Sequence, residues 1–167
     1  MTSGSEAPFV LDVEASGFGR GSYPIEIGFA APDGRSVCAL IRPAPHWTHW
    51  DPAAERVHGL SRCIVERHGR RPADVAQLLN RELEGCIVYS DAWGHDYGWL
   101  NVLFDEAGAR PRFALRHLRE LLTEEQAERW NSTRLRVLDQ MQLRRHRASS
   151  DARALQLTLL AVRRSRT

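Results

Sequence analysis

Phe9-Val10-Leu11-Asp12-Val13-Glu14-Ala15-Ser16-Gly17-Phe18 is the stretch on which the fold turns. An apolar run interrupted by acids at alternate positions reads as a β-strand, because successive strand side chains point to opposite faces. Asp12 and Glu14 then share one surface, and Leu11 and Val13 share the other. Acidic side chains are rarely buried without a partner, and two side by side repel. At least one takes a raised pKa unless a cation neutralises the pair. Such a pair asks for a divalent metal; taken by itself, it equally describes the solvent face of an edge strand.

The neighbouring segments build a sheet around that strand. Gly17, Gly19 and Gly21 leave the next loop free to turn or to pass close to a ligand. Tyr23-Pro24-Ile25-Glu26-Ile27-Gly28-Phe29-Ala30 alternates Ile25, Ile27 and Phe29 against Glu26 and Gly28. Pro32-Asp33-Gly34-Arg35 is a turn into a third strand over 37–41, so the three form an antiparallel meander. Glu26 belongs on the polar face of that sheet, or else steadies the acid pair beside it.

Downstream, His46-Trp47-Thr48-His49-Trp50 leads into Asp51-Pro52, where Asp51 caps a short helix and Pro52 takes its first position. That helix ends at Val57-His58-Gly59, a second begins near Ser61, and Val75, Leu78, Leu79 and Leu83 give a third its core-facing stripe over 72–83. An apolar run over 85–90 reads as a buried strand beside the first, with Asp91 at its carboxyl end. Tyr97, Leu100, Leu103 and Phe104 mark a helix that begins near Asp96 and stops at Gly108. A strand over 112–116 comes next, then a helix opened by the capping box Thr123-Glu124-Glu125-Gln126 and running toward Trp130, with Leu135, Val137 and Leu138 beyond. The last helix carries Ala152, Leu155, Leu159 and Val162; Ser149 or Ser150 caps it, and Asp151 sits in its first turn, where the helix dipole favours negative charge. The order of elements predicts one α/β domain over 8–164 with a mixed sheet, after a flexible segment at 1–7.

Composition limits the partners more than it names them. At 167 residues, 43% hydrophobic and 26% charged, the chain suits one domain with a substantial core. A formal net charge of +2 is too mild to announce a nucleic-acid protein. All 23 basic residues are arginine, a bias that genome composition produces as readily as phosphate recognition does. Cys38, Cys63 and Cys86 are too widely separated to indicate a zinc or disulfide framework. Residues 1–8 lack the pattern of a signal peptide, and no apolar run approaches a membrane span. The expectation is a soluble protein of the cytoplasm with reduced thiols and no membrane partner.

The acids recur at element ends, and their order carries a resemblance. Asp12-Val13-Glu14, Ile25-Glu26-Ile27-Gly28, Val57-His58-Gly59-Leu60-Ser61, Asp91-Ala92-Trp93-Gly94-His95-Asp96-Tyr97-Gly98-Trp99-Leu100 and His146-Arg147-Ala148-Ser149-Ser150-Asp151-Ala152 succeed one another through nearly the whole chain. Together they resemble the DEDD superfamily of 3′-to-5′ exonucleases, in the subclass with histidine in its third motif, which includes ribonuclease T, oligoribonuclease and polymerase proofreading subunits. The third motif, His-x-Ala-x-x-Asp-Ala, is the most specific match. Ala15 stands where the family has a threonine, with Ser16 next. In the second motif, Asp91-Ala92 replaces His-Asn, and His95 replaces the aromatic residue before Asp96.

The resemblance implies a ribonuclease H-like α/β fold: a mixed five-stranded sheet, an antiparallel meander plus parallel strands, flanked by helices. It implies that Asp12, Glu14, Asp96 and Asp151 bind two divalent ions, Mg2+ or Mn2+, with Asp12 bridging, and that His146 is the general base. Oxygen ligands suit those ions, a metal pair steadies both the attacking and the leaving oxygen of a phosphodiester, and histidine ordinarily titrates near neutral pH. The implied reaction shortens RNA or single-stranded DNA from a free 3′ end and releases nucleoside 5′-monophosphates.

Other residues take secondary places in that picture. Asp91 is an additional ligand, a group behind the ligands or a helix cap. Ser16, Gly17, Phe18, His58 and Arg147 are implied as secondary substrate contacts, Phe18 as a wedge at the terminal base, with Arg144 and Arg145 beside phosphates. Trp47, Trp50 and Trp99 either stack on bases or close the core. Several members of the family work as homodimers, so a homodimer is one arrangement the resemblance allows. Two further readings stay open: a weakened or inactive nucleic-acid-binding module on the same scaffold, and an internally cutting nuclease of the ribonuclease H type, which does not require the His146 spacing.

Overall fold

The computed structural model describes residues 7–142 and 146–164. The expected N-terminal segment lies outside them but for Ala7, and so do Arg144 and Arg145. Five strands, β1 (Phe9–Ala15), β2 (Pro24–Ala30), β3 (Ser36–Leu40), β4 (Ile87–Ser90) and β5 (Ala114–His117), form one sheet in the order β3-β2-β1-β4-β5. β1, β2 and β3 pair antiparallel, as their short loops require, whereas β4 and β5 join parallel through helical crossovers. The opening strand is therefore the centre of the sheet and not its edge.

Helices cover both faces: α1 (Pro52–His58), α2 (Arg62–His68), α3 (Pro72–Leu83), α4 (Trp93–Glu106), α5 (Glu124–Glu128), α6 (Trp130–Met141) and α7 (Ala148–Arg164). Asp51 caps α1 by accepting the Ala53 N–H at 2.8 Å, and Ser61 caps α2 by accepting that of Ile64. Beyond Thr123 there are two helices, meeting at Arg129, in place of the single one expected. On one face, Leu11, Val13, Ile25, Ile27 and Phe29 pack with the apolar stripes of α3 and α4 in the main core. On the other, Val10 and Ala30 meet Ala152 and Leu155 of α7. Tyr97 departs from the expected stripe: it is exposed and stacks on Trp93 with ring centroids 5.4 Å apart. No described helix is long and apolar enough to cross a membrane.

β2 also departs from expectation. Its alternation predicts a half-exposed strand, yet every residue in it is buried, because α7 lies across the face that Glu26 and Gly28 occupy. Glu26 is thus fully enclosed and not on a polar face. A Cβ on Gly28 would lie 2.3 Å from the Ser149 nitrogen, so only glycine lets the backbone of α7 approach this closely. The helix starts at Ala148, which places Ser149 and Ser150 inside its first turn instead of at its cap. The Ala148 N–H donates to Glu26 Oε2 at 3.0 Å, so a carboxylate from the sheet does what a local capping residue ordinarily does.

Candidate active site

β1 turns Asp12 and Glu14 toward the α7 side, directly opposite Gly28 and Glu26 of β2 in the antiparallel register. Asp151 reaches the same place from the first turn of α7, and ligand oxygens of Asp12, Glu14 and Asp151 lie within 4.8 Å of one another. Asp96, in the first turn of α4 and only 1% exposed, lines the same cavity as Asp12 and Glu14, and its charge acts on Asp12. Its Oδ2 accepts the Ser90 hydroxyl, while its Oδ1 is buried with no hydrogen-bond partner.

The electrostatics arise from that crowding. Burial, then the charges of Asp96, Glu14 and Asp151, hold the Asp12 carboxyl well above the usual carboxylate range. Burial and then Asp151 push Glu14 up to about 8. Asp96 rises to about 7 through burial, opposed by the Ser90 hydroxyl and reinforced by Asp91. Arg147 is the cation that offsets Glu14, and it ranks last among the influences there. An all-oxygen donor set with protons held this tightly, and one buried carboxylate oxygen unpartnered, fits a hard divalent cation that would take the protons' place.

The third sequence motif gives Asp151 to the cluster. His146 is half-buried and has φ +60°, a left-handed conformation that costs a residue with a side chain on the order of 1–3 kcal/mol. Burial, first of several causes, lowers the pKa of the neighbouring His58. Arg147, expected beside a phosphate, instead forks onto Glu26, with Nε 3.0 Å from Oε1 and a terminal nitrogen 2.7 Å from it.

A cavity of about 260 Å³ opens over the acids, bounded by Gly17, Phe18, His58, His95 and Trp99. Phe18 is 67% exposed, with its ring 5.0 Å from that of His95 and 5.8 Å from that of Trp99. His95 in turn stacks on Trp99 at 5.6 Å. His58 is buried in the wall, where its Nδ1 accepts the Leu60 N–H at 3.0 Å. Gly17, at φ +149°, passes so close to α1 that a Cβ there would lie 2.6 Å from that of Asp51. Ser16 requires correction: it is fully buried, and its hydroxyl bonds His49 Nδ1 at 2.9 Å and accepts the Tyr23 N–H at 3.1 Å, so it faces the interior and not a substrate. Trp47 stacks on Tyr23 in the core, and Trp50 donates to Glu55. Asp91 makes an ion pair with Arg134 of α6, at 3.1 Å.

Sequence reasoning passes over Ser90, whose hydroxyl holds Asp96, and reads His49 with His46 as a pair that could stack on bases or hold a metal, whereas His49 holds Ser16. Neither role carries a local signal, because each residue acts only on a partner brought to it by folding. Glu26 does carry one, in its Ile-Glu-Ile-Gly setting, but the guanidinium and the helix N–H it holds are 121 and 122 residues away.

No protein-family model matches the chain, and no curated protein matches it. Solved structures do. Escherichia coli exonuclease I, in the zinc-ion-bound form of its complex with single-stranded DNA, aligns over 95% of this chain with a TM-score of 0.69 at 14% identity. The same enzyme in complex with a dA16 oligonucleotide aligns over 93% with a TM-score of 0.69 at 13% identity. Exonuclease I from Methylocaldum szegediense aligns over 94% with a TM-score of 0.64 at 15% identity. This chain covers 41%, 41% and 40% of those proteins. At such identities the likeness is one of fold: the chain has the ribonuclease H-like α/β architecture found within exonuclease I.

Proposed function

We propose that the chain is a metal-dependent 3′-to-5′ exonuclease of single-stranded nucleic acid. The observation that carries this reading is the convergence of Asp12, Glu14 and Asp151 within 4.8 Å, beside a buried Asp96 with one unpartnered oxygen, under a cavity with an aromatic side. Two divalent ions, Mg2+ or Mn2+, held by Asp12, Glu14, Asp96 and Asp151, would neutralise the cluster and supply stabilisation of the attacking and leaving oxygens. Asp12, on the central strand, would contribute to holding both ions. Asp91 is left out of the set because Arg134 holds its carboxylate. His146 takes the proton of the attacking water. Phe18 and the His95–Trp99 stack receive the terminal base, since every base offers a π-face to an aromatic ring. The neighbours' oligodeoxynucleotide complexes make single-stranded DNA the first substrate to try and RNA the second.

The test incubates 5′-labelled DNA and RNA oligonucleotides, with free or blocked 3′ ends, with and without Mn2+. Stepwise shortening that requires metal, a free 3′ hydroxyl and Asp12 is expected, and Asp12→Ala abolishes it. Equal cleavage of blocked substrates identifies an internally cutting nuclease instead. Tight binding without cleavage identifies a binding module on this scaffold, a reading that the altered Asp91-Ala92 and His95 positions favour.

A further inference from the structure

We propose that Glu26 and Arg147 form a latch that positions His146 over the acid cluster, an inference that rests on the reading of His146 as the base. His146 holds a left-handed backbone, φ +60°, that a residue with a side chain keeps only where its surroundings impose it. The next two residues, Arg147 and Ala148, are both fastened to one carboxylate. The Arg147 guanidinium makes three close contacts with the two Glu26 oxygens, between 2.7 and 3.1 Å, and the Ala148 N–H donates to Glu26 Oε2 at 3.0 Å. Glu26 itself has no freedom to move with them. It is fully buried on β2, opposite Glu14 in the register, and Cys38 Sγ donates to its Oε1 at 3.2 Å.

The two attachments divide the work. The Ala148 bond, together with the close seat of Ser149 on Gly28, fixes the start of α7 and therefore Asp151. The Arg147 fork fixes the residue next to His146 and so selects the turn that His146 makes. A bidentate guanidinium suits this role because its planar donors define an orientation, whereas an ammonium supplies only a charge. Arg147 is thus a positioning residue: its fork is committed to the sheet and touches no reacting atom.

The experiment compares wild type with Arg147→Ala and Arg147→Lys. The lysine variant keeps a cation beside the buried carboxylate should the alanine variant fold poorly. Three quantities are read: Mn2+ affinity, paramagnetic broadening of the His146 imidazole NMR resonances by bound Mn2+, and kcat and KM on a labelled oligodeoxynucleotide. In both variants Mn2+ affinity and KM should stay near wild type, the broadening of His146 should be lost, and kcat should fall about a hundredfold, the scale of a displaced general base. A purely structural ion pair would move stability without separating kcat from KM or removing the broadening. Wild-type kcat and broadening in Arg147→Lys overturn the latch and leave the exonuclease reading intact. A wild-type chain that shortens no substrate sinks that reading, and the broadening, which needs no turnover, still decides the latch: its loss in the variants supports it, and its absence from the wild type overturns it.

Discussion

On one side of the acid cluster, Asp12 and Glu14 ride on the central strand of the sheet; on the other, His146 and Asp151 belong to the start of α7 and a turn before it. The first side needs nothing but strand geometry. Two residues apart on β1, each opposite a residue of β2 in a strand that β4 flanks at Phe9 and Val10, the two acids are placed by the backbone itself. The second side is placed by contacts with no local origin: a glycine that admits the helix backbone, and a carboxylate on β2 that accepts its first N–H. Acids on rigid backbone are hard to displace but easy to neutralise, whereas the α7 side is lost when its seat is disturbed.

The largest effect expected is from neutralising the strand side. Asp12→Asn should reduce Mn2+ affinity by a factor of about 100 or more, at or beyond the top of the range for losing a residue that only supports a ligand. The same change should raise metal-free stability at neutral pH, because it relieves a buried acid that Asp96, Glu14 and Asp151 all oppose. Isothermal titration and urea denaturation measure the two, and unchanged Mn2+ binding would remove Asp12 from the ligand set.

Gly28→Ala breaks the other side. Its Cβ would sit 2.3 Å from the Ser149 nitrogen, so α7 must lift, at a cost of about 1–3 kcal/mol by the usual scale of overpacking. Mn2+ binding should weaken as Asp151 withdraws, with Asp12 and Glu14 left in place. A variant of wild-type stability and affinity would show that α7 is not seated there.

A pH titration sharpens the comparison without mutation. In the folded, metal-free chain Glu14 keeps its proton up to about 8 and Asp96 up to about 7, while in the unfolded chain both release near ~4. Across that window the folded state binds more protons, so metal-free stability is greatest at the acid end and falls as pH rises toward 8. Saturating Mn2+ should flatten or reverse the trend. A metal-free melting temperature that rises across the window contradicts it.

The smallest effect belongs to Asp91→Asn. It breaks a partly exposed pair with Arg134, worth up to about 1 kcal/mol, and should leave Mn2+ affinity unchanged. A loss of affinity would return Asp91 to the ligand set.

Legibility in the sequence obeys the same division. Period-two alternation foretells β1 and its shared acid face, and Asp51-Pro52 and Thr123-Glu124-Glu125-Gln126 foretell where α1 and α5 begin, because each signal is complete within a few residues. Glu26 is misplaced because alternation shows that a strand has two kinds of face, but not that a helix covers the polar one. Arg147 reads as a phosphate contact because nothing near it in sequence reveals a buried carboxylate 121 residues earlier. Ser16 fits the same pattern, its hydroxyl being claimed by His49, 33 residues on.

By itself, then, the sequence determined the α/β layout, the acid pair on the opening strand and the set of acids from which a cluster could be drawn. Only the tertiary structure decided that Asp96 is buried with one oxygen unpartnered while Asp91 pairs with Arg134, that Glu26 caps α7, and that Ser16 faces inward. The physical reason is range. Strand alternation and helix caps are settled by neighbours in the chain, whereas the partner of a carboxylate or a hydroxyl is whatever group folding brings within about 3 Å of it.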